Sequence, residues 1–438
     1  MDGSSIEELE LVLGAIDGFE DLAVELQTRL VGVPAISPES GGTGELAKFE
    51  SFQQALSELI VLDAVERIDA HDPRAEGGVR PNLVGVWSAA PVRETIGQET
   101  FAPETPGRTL PRTFWLIAHL DVVPARQEEG WDHDPFTLAR RGRQLHGRGA
   151  EDDHQGVCSI LLAIKALQVL DRRPACDIGV IFVSDEETGN EFGLEFVQAT
   201  RPELVSSRDV VWLPDGGTPD GAQVQVADKS LLMLRLRIHA PRARSFRPDQ
   251  GVNCARVAAH LTVRLEELHR IHDRVDSLFR PSTCTFEPMH WEPVETEWGS
   301  LPDEEIFHLD CRLLPGVDHN AVVRSVRRIA REEARRWNVA IEVEIVHAED
   351  VPPPCSLDPA LTEIACRAVR RAHGVEGEAI GVGIVAFAQE MRKRGIPVIV
   401  HQRIDGMAHE VNEYCNLDNL LGDAKVLAMT LHEYLFRD

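Results

Sequence analysis

Histidine and acidic residues follow short apolar runs, or precede a helix, at five separate places in this chain. These places are 118–124 with His119 and Asp121, 147–153 with Asp152, 184–189 with Glu186 and Glu187, 214–217 with Asp215, and 408–414 with His409. Imidazole nitrogens and carboxylate oxygens are common zinc ligands in enzymes, and one carboxylate can serve two ions. Three carboxylates with two histidines therefore suit a site for two divalent ions.

Neighbouring side chains within two of these segments suit different tasks. His119 and Asp121 are two residues apart, so they share a face if the strand continues. Asp121 can then accept a hydrogen bond from the imidazole nitrogen that points away from a metal. Glu186 and Glu187 are adjacent, so one can bind metal while the other stays free as a base.

Each place also has an ordinary structural explanation. An acid after a strand is usually a turn residue or a helix cap, and a single histidine usually belongs to the surface or the core. Taken singly, Asp215 and His409 favour that explanation, but five such places in compatible positions favour a metal site. Competing motifs are missing from the sequence, including G-x-S-x-G, G-x-x-x-x-G-K-[ST] and H-E-x-x-H.

The apolar runs are too short for helices and predict buried strands. They lie at 113–118, 178–183, 210–213 and 397–400, with a helical segment at 156–170 and two earlier helices at 6–32 and 43–61. Continuous apolar runs are typical of strands covered on both faces in a parallel sheet with βαβ connections. Ligands bind beyond the carboxyl ends of such strands, so the five places are predicted to meet in one crevice.

Residues 229–348 have a different pattern of apolar residues and predict a smaller inserted domain. The predicted elements are, in order, a half-exposed strand at 231–238, a helix at 255–271, a strand at 307–312, a helix at 321–337 and a strand at 339–346. This succession predicts an α+β unit of the ferredoxin-like kind within an α/β protein. The larger domain, predicted to bind metal, then comprises 1–228 and 349–438. A surface loop is predicted at 86–112, which is rich in Pro, Thr and Glu.

Length and charge limit the possible partners. A chain of 438 residues predicts two domains, and its formal charge of −27 repels phosphate backbones and anionic membrane surfaces. The sequence has no signal-peptide pattern and no run of apolar residues long enough to span a membrane. Its eight cysteines are scattered without a C-x-x-C pair, which favours buried thiols. We expect a cytoplasmic protein with no nucleic-acid or membrane partner.

Four segments together resemble the signature blocks of one enzyme family. Residues 119–124 (HLDVVP), 147–152 (GRGAED), 185–189 (DEETG) and 408–414 (AHEVNEY) are similar to those of the zinc-dependent deacylases and peptidases that include acetylornithine deacetylase, succinyl-diaminopimelate desuccinylase and carboxypeptidase G. The resemblance covers nearly the whole chain. It implies a zinc-binding α/β domain and an inserted lid domain, at 229–348, that commonly forms a homodimer.

The resemblance also implies a role for each residue. Asp152 would bridge two divalent ions, most often zinc in this family, with cobalt or manganese as alternatives. His119 and Asp215 would complete one metal site, and Glu187 and His409 the other. Asp121 would orient His119. Glu186 would deprotonate the metal-bridging water and pass the proton to the leaving amine.

The substrate side departs from the family pattern. Arg244 stands where the family usually has a histidine that reaches the reaction oxyanion across the dimer. Gly299 replaces a common substrate-binding Asn, and Val382 and Ile384 replace the usual Gly and Thr. Arg312 is retained and would grip a substrate carboxylate. Arg244 can act as a fixed cation for the oxyanion, or it can be a solvated loop residue.

Two hypotheses follow from these residues. The first is an enzyme that hydrolyses the amide bond of an N-acyl-amino acid or short peptide. The alternative is a metal-retaining binding or regulatory protein with lost or altered turnover. Retention of the five inferred ligands and Glu186 favours the enzyme, whereas the substrate-side departures favour the alternative or a shifted specificity.

Overall fold

The computed structural model contains both helices and strands and describes residues 3–89, 110–350, 357–383 and 386–436. The helices are α1 (Gly3–Asp17), α2 (Glu20–Val31), α3 (Leu46–Leu59), α4 (His154–Leu167), α5 (Leu194–Thr200), α6 (Cys254–Leu265), α7 (Glu267–Ile271), α8 (His319–Trp337), α9 (Pro359–His373), α10 (Ala386–Lys393) and α11 (Leu417–Leu435). The strands are β1 (Ala64–His71), β2 (Val79–Trp87), β3 (Thr113–His119), β4 (Ala139–Arg141), β5 (Gln144–His146), β6 (Asp177–Val183), β7 (Val210–Thr218), β8 (Gln223–Asp228), β9 (Ser230–His239), β10 (Thr285–Glu292), β11 (Glu304–Leu313), β12 (Ala340–Glu349), β13 (Glu378–Val382), β14 (Val398–Arg403) and β15 (Tyr414–Asn416).

An eight-stranded sheet carries most of the predicted acids and histidines at its strand ends. Its order is β1-β2-β6-β3-β7-β14-β8-β13, and the four central strands β6, β3, β7 and β14 run parallel. Every residue of β3 and β6 is buried, as the continuous apolar runs predicted. The fold class is therefore confirmed as an α/β protein with a large, mostly parallel sheet.

Two long helices, α4 and α11, are almost fully buried and pack in the core beside this sheet. All but one residue of α4 are buried, and α11 buries residues on all sides along most of its length. Helices that are buried on all sides belong to a protein interior. The packing of α4 places its N-terminus, preceded by Asp152 and Asp153, beside the carboxyl end of β3, where the backbone N–H of His119 approaches Asp153 Oδ2 at 3.4 Å.

A second, four-stranded antiparallel sheet has the order β10-β11-β9-β12. With α6 and α8 between its strands in sequence, this is the predicted ferredoxin-like arrangement. Its core contains the alternate residues of β9 together with apolar residues of α6 and α8. The sequence reading missed β10, because this edge strand is largely exposed and lacks a clear apolar alternation.

The described residues fall into two compact units. One is drawn from 1–226, 355–379 and 390–438, and the other from 227–354 and 380–389. The predicted insertion was 229–348 alone. The segment after 380 clusters with the smaller unit because the Gly381 N–H donates to Leu278 O at 2.8 Å and the N–H of Lys229 donates to Val382 O at 3.0 Å.

Some sequence predictions concern residues outside the described ranges. The predicted surface loop at 86–112 falls mostly on 90–109, and Ile384 and Cys355 also lie outside the described residues. The seven cysteines that the structure describes are free thiols. Within the described ranges, no helix combines the length and apolarity needed to cross a membrane.

Candidate active site

His119 is the last residue of β3, and its imidazole is buried and oriented. Its Nδ1 lies 3.1 Å from the backbone oxygen of Asp121. Because a carbonyl oxygen can only accept, Nδ1 carries the proton, and Nε2 is the nitrogen directed at the acidic cluster, 3.1 Å from Asp152 Oδ1. A histidine held in this tautomer presents Nε2 as a metal ligand.

Asp121 connects His119 to the segment that carries the two glutamates. Its Oδ1 lies 3.4 Å from His119 Nδ1. The two carboxylate oxygens also accept the backbone N–H groups of Glu186 at 3.1 Å and Glu187 at 3.0 Å. Burial opposes ionisation of Asp121, but the hydrogen bonds from His119 and from these backbone groups hold its pKa below the usual value.

Asp152 lies between two histidines. Its Oδ1 faces His119 Nε2, and its Oδ2 lies 3.2 Å from His409 Nε2. The next residue, Asp153, caps α4 by accepting the N–H of Gly156 at 3.2 Å, and the peptide bond between Asp152 and Asp153 is cis. The helix cap therefore holds the segment from which the Asp152 carboxylate projects.

Glu187 and His409 form the other side of the cluster. His409 Nε2 lies 3.1 Å from Glu187 Oε1 and 3.0 Å from its Oε2. Ligand atoms of His119, Asp152 and Glu187 all lie within 4.8 Å of one another. The side chains of His119, Asp152, Glu187 and His409 were predicted from segments that are far apart in sequence. The fold brings them together in one cluster.

Two further acids have raised pKa values in this cluster. Burial, together with the negative charges of Asp215 and Asp121, raises the pKa of Glu186 to about 8 against the opposing influence of His119. Burial and the charge of Asp152 raise the pKa of Asp215 to about 6. Asp215 lies within β7, and these charge interactions place it close enough to the cluster to share its electrostatic field.

The pKa values of the two histidines are raised as well. Hydrogen bonds to Asp152 and Glu187 raise the pKa of His409 to about 10. Burial disfavours the imidazolium of His119, yet its hydrogen bonds to Asp121 and Asp152 raise its pKa well above the usual value. Protons thus compensate part of the negative charge that a cation would otherwise neutralise.

Glu413 supports this cluster, although sequence reasoning assigned it no role. Its buried carboxylate accepts the backbone N–H groups of Gly149 and Glu151 at 3.0 Å and of Asp152 at 3.1 Å. It also pairs with Arg148 at 2.6 Å. One side chain therefore holds the backbone that presents Asp152. The only sequence signal was its place within the 408–414 block.

Glu151 makes the reciprocal connection. Its buried carboxylate accepts the backbone N–H groups of Asp405 at 2.6 Å, Met407, and Ala408 at 3.1 Å. The next residue, His409, has a left-handed backbone with φ of 65°, which is unusual for a residue with a side chain. The contacts of Glu151 hold the loop that maintains this conformation.

A buried lysine also lies behind the cluster. Lys48 Nζ is 2.7 Å from Nε2 of His154, and burial lowers the pKa of Lys48 to about 7 despite nearby carboxylates. Beside it, the buried Arg80 pairs with Glu45 and, at 2.9 Å, with Asp185. Sequence reasoning missed these groups, since a single Lys or Arg carries no signal of burial.

The substrate-side candidates lie in the smaller unit. Arg244 is half exposed, lies 3.4 Å from Glu297 and donates to Ser300 Oγ at 3.3 Å. Arg312 donates to both carboxylate oxygens of Asp310, at 2.8 and 3.0 Å. Gly299 has φ of 83° in the turn that follows Glu297, a conformation that favours glycine over the expected Asn. Each guanidinium thus has an acidic partner within its own unit.

Comparisons with known proteins identify relatives along most of the chain. The model of peptidase family M20/M25/M40 matches residues 115–433. An uncharacterized metallohydrolase of Methanococcus maripaludis is 26% identical over 424 residues, covering 93% of this chain and 97% of that protein. The succinyl-diaminopimelate desuccinylase of Paracoccus denitrificans is 22% identical over 418 residues, covering 94% and 97%. A dinuclear metal-binding peptidase of family M20 from Bacillus subtilis shares the fold, with a TM-score of 0.59 and 14% identity over 95% of this chain and 98% of that chain.

Proposed function

This chain belongs to peptidase family M20/M25/M40, and from that premise we propose that it cleaves the amide bond of an N-acyl-amino acid or a short peptide at a two-metal centre. Its family membership makes it a metal-dependent hydrolase of amide bonds. The observation that carries the proposal is the position of Asp152, whose two carboxylate oxygens each face a different histidine. A carboxylate placed in this way can serve two ions.

The donor set fits two divalent ions. We assign His119 and Asp215 to one ion, Glu187 and His409 to the other, and Asp152 to both. Imidazole and carboxylate donors without thiolate suit zinc first, with cobalt or manganese as alternatives. When bound, the ions would polarise the substrate carbonyl and make water a stronger nucleophile at neutral pH.

Glu186 is proposed as the general base. It takes a proton from the attacking water as the new C–O bond forms, and it gives that proton to the amine when the C–N bond breaks. Its raised pKa supports this role, because a carboxyl group that titrates near neutrality can both accept and return a proton. Asp121 holds the backbone of Glu186 and the ring of His119, and so positions the base relative to a ligand.

Recognition of the substrate is assigned to the smaller unit. We propose that Arg312 binds the substrate carboxylate and that Arg244 stabilises the oxyanion from the partner subunit of a cytoplasmic homodimer. A guanidinium can pair with a carboxylate through two hydrogen bonds, as Arg312 does with Asp310. The free thiols of the described cysteines support a reducing compartment.

Hydrolysis of a panel of N-acyl-amino acids and dipeptides tests the proposal. The metal-free chain, reloaded in parallel with Zn²⁺, Co²⁺ or Mn²⁺, should release free amine from at least one class of substrate. The same preparation with Asp152→Ala should be inactive. A loaded parent that binds two ions but turns over no member of the panel would instead favour the metal-retaining, non-catalytic alternative.

A further inference from the structure

A second group of potential metal ligands lies in the larger unit, separate from the residues assigned above. His373 is the last residue of α9, His401 lies in β14 and Asp423 lies in α11. One ligand atom from each residue lies within 4.8 Å of the others. All three side chains are almost completely buried. The group therefore connects three elements that meet in the core.

His401 is held in the form that binds metal. Its Nδ1 lies 3.0 Å from the backbone oxygen of Gln223, and since that oxygen can only accept, Nδ1 carries the proton. Burial lowers the pKa of His401, which favours the neutral ring with a lone pair on Nε2. Among the described residues, Nε2 has no hydrogen-bond partner, although the side chain is 1% exposed. A buried imidazole nitrogen without a partner requires an explanation.

Asp423 is oriented as a ligating carboxylate would be. Its Oδ1 accepts the backbone N–H of Arg403 at 3.0 Å and lies 3.1 Å from Nε2 of His373. Its Oδ2 accepts Nε2 of Gln155 at 2.8 Å. Ligating carboxylates are commonly fixed in this way by neighbouring donors.

Gly422 allows the third ligand to approach. A Cβ at this position would lie 2.4 Å from Cε1 of His373, so the imidazole can pack directly against α11 only because residue 422 is glycine. The rings of His373 and His401 have centroids 5.9 Å apart. An internal hydrogen bond between His373 and Asp423 accounts for those two residues but leaves Nε2 of His401 unexplained.

We propose that His373, His401 and Asp423 bind a third divalent ion, distinct from the two ions of the catalytic centre. Two imidazoles and one carboxylate suit zinc or cobalt rather than calcium or magnesium, which prefer oxygen ligands. The site is buried, so its ion is structural and ties α9, β14 and α11 together.

Counting ions in the full-length chain tests this proposal. The metal-free protein is titrated with Zn²⁺, passed through a desalting column and analysed for metal per chain. We expect three ions for the parent and two for both His401→Gln and Asp423→Asn. The matched control His432→Gln changes a buried histidine of α11 outside the cluster and should keep three.

The Asp152→Ala background separates this site from the catalytic centre. That variant should retain one ion, and Asp152→Ala with His401→Gln should retain none. Equal counts in the parent and a folded His401→Gln variant would overturn the proposal. If His401→Gln does not fold, an Asp152→Ala chain that binds no Zn²⁺ overturns it instead. The number of ions lost in His401→Gln tests the proposed third site. The number of ions that Asp152→Ala keeps tests the catalytic assignment separately.

Discussion

The adjacent glutamates at 186 and 187 illustrate how surroundings divide labour between identical side chains. Glu187 contacts His409 through both carboxylate oxygens, which suits a metal ligand. The pKa of Glu186 is raised to about 8 by burial and by neighbouring acids, which suits a group that exchanges protons. Both backbone N–H groups donate to Asp121, so one carboxylate fixes the positions from which the two side chains diverge.

Glu186→Gln should abolish proton transfer while preserving the metal site. We expect kcat to fall by ~10²–10⁴-fold, because Gln keeps the shape of the side chain but cannot accept a proton. Steady-state kinetics and metal analysis on the same preparation check this result. The control Glu191→Gln, at an exposed neighbouring position, should keep the parental rate. A parental rate in Glu186→Gln would mean that another group is the base.

Metal binding to the ion-free chain should release protons. The pKa of His409 is raised to about 10, so its imidazole is protonated at pH 7 until a cation displaces the proton. The raised pKa of His119 acts in the same direction. Affinity should therefore increase as the pH rises toward 10. Calorimetry in two buffers of different ionisation enthalpy measures the protons released, and His409→Asn should release fewer than the parent.

The stability of the ion-free chain should change in the opposite direction. A raised histidine pKa contributes stability below the unfolded value of 6.5, and this contribution is lost as the pH rises through about 10. His409 is half exposed, so solvent screening reduces the effect. A titration that released no protons at neutral pH would contradict both expectations.

At the level of elements, two loops hold each other in place. Glu413 accepts backbone N–H groups from the segment before α4, and Glu151 of that segment accepts backbone N–H groups from the loop after β14. Asp152 and His409 project from these two segments. The distance between these two proposed ligands thus depends on a pair of buried carboxylates that are not themselves among the proposed ligands.

Glu413→Gln should loosen this arrangement. The amide nitrogen of Gln would face backbone donors, which leaves buried N–H groups unsatisfied at a cost of ~1–3 kcal/mol. Metal affinity should fall by about 10–100-fold, as is typical when residues that orient ligands are removed. Denaturant unfolding and zinc titration measure the two effects. Glu410→Gln, at an exposed neighbouring position, is the matched control. Equal metal affinity in both variants would show that the contacts of Glu413 do not position the ligands.

At the scale of the whole molecule, the inferred chemistry is divided between two compact units. The proposed metal ligands and Glu186 belong to the larger unit, whereas Arg244 and Arg312 belong to the smaller one. Arg244 is exposed and its acidic neighbour Glu297 is exposed as well, so this pair is screened by solvent and can be exchanged for another anionic group at little cost.

Mixing two inactive variants tests the proposed homodimer. If Arg244 acts on the partner's catalytic centre, Arg244→Ala should lower kcat and kcat/KM together by ~10²-fold, the pattern for an interaction made in the transition state. Hybrids of Arg244→Ala and Glu186→Gln chains should then recover about a quarter of the parental activity, since random pairing leaves one intact centre in half of the dimers. Parental kinetics in Arg244→Ala, or a monomer by light scattering, would contradict the assignment.

Sequence alone determined the fold class and the family. Continuous apolar runs predicted buried parallel strands, and β3, β6, β7 and β14 confirm them, because burial on both faces requires such runs. The histidines and acids at strand ends were recognisable as metal-ligand types at positions that an open sheet brings together. The edge strand β10 was not predicted, because an exposed strand needs no apolar pattern.

Only the tertiary structure decided which groups support and surround that site. Glu413 and the backbone N–H of Gly149 are 264 positions apart in sequence, and no local sequence pattern at either residue predicts their hydrogen bond. The same reason hides the cluster of His373, His401 and Asp423, whose members come from different elements with ordinary local surroundings. Hydrogen bonds between distant segments depend on how the core packs, so residue types and spacing cannot reveal them.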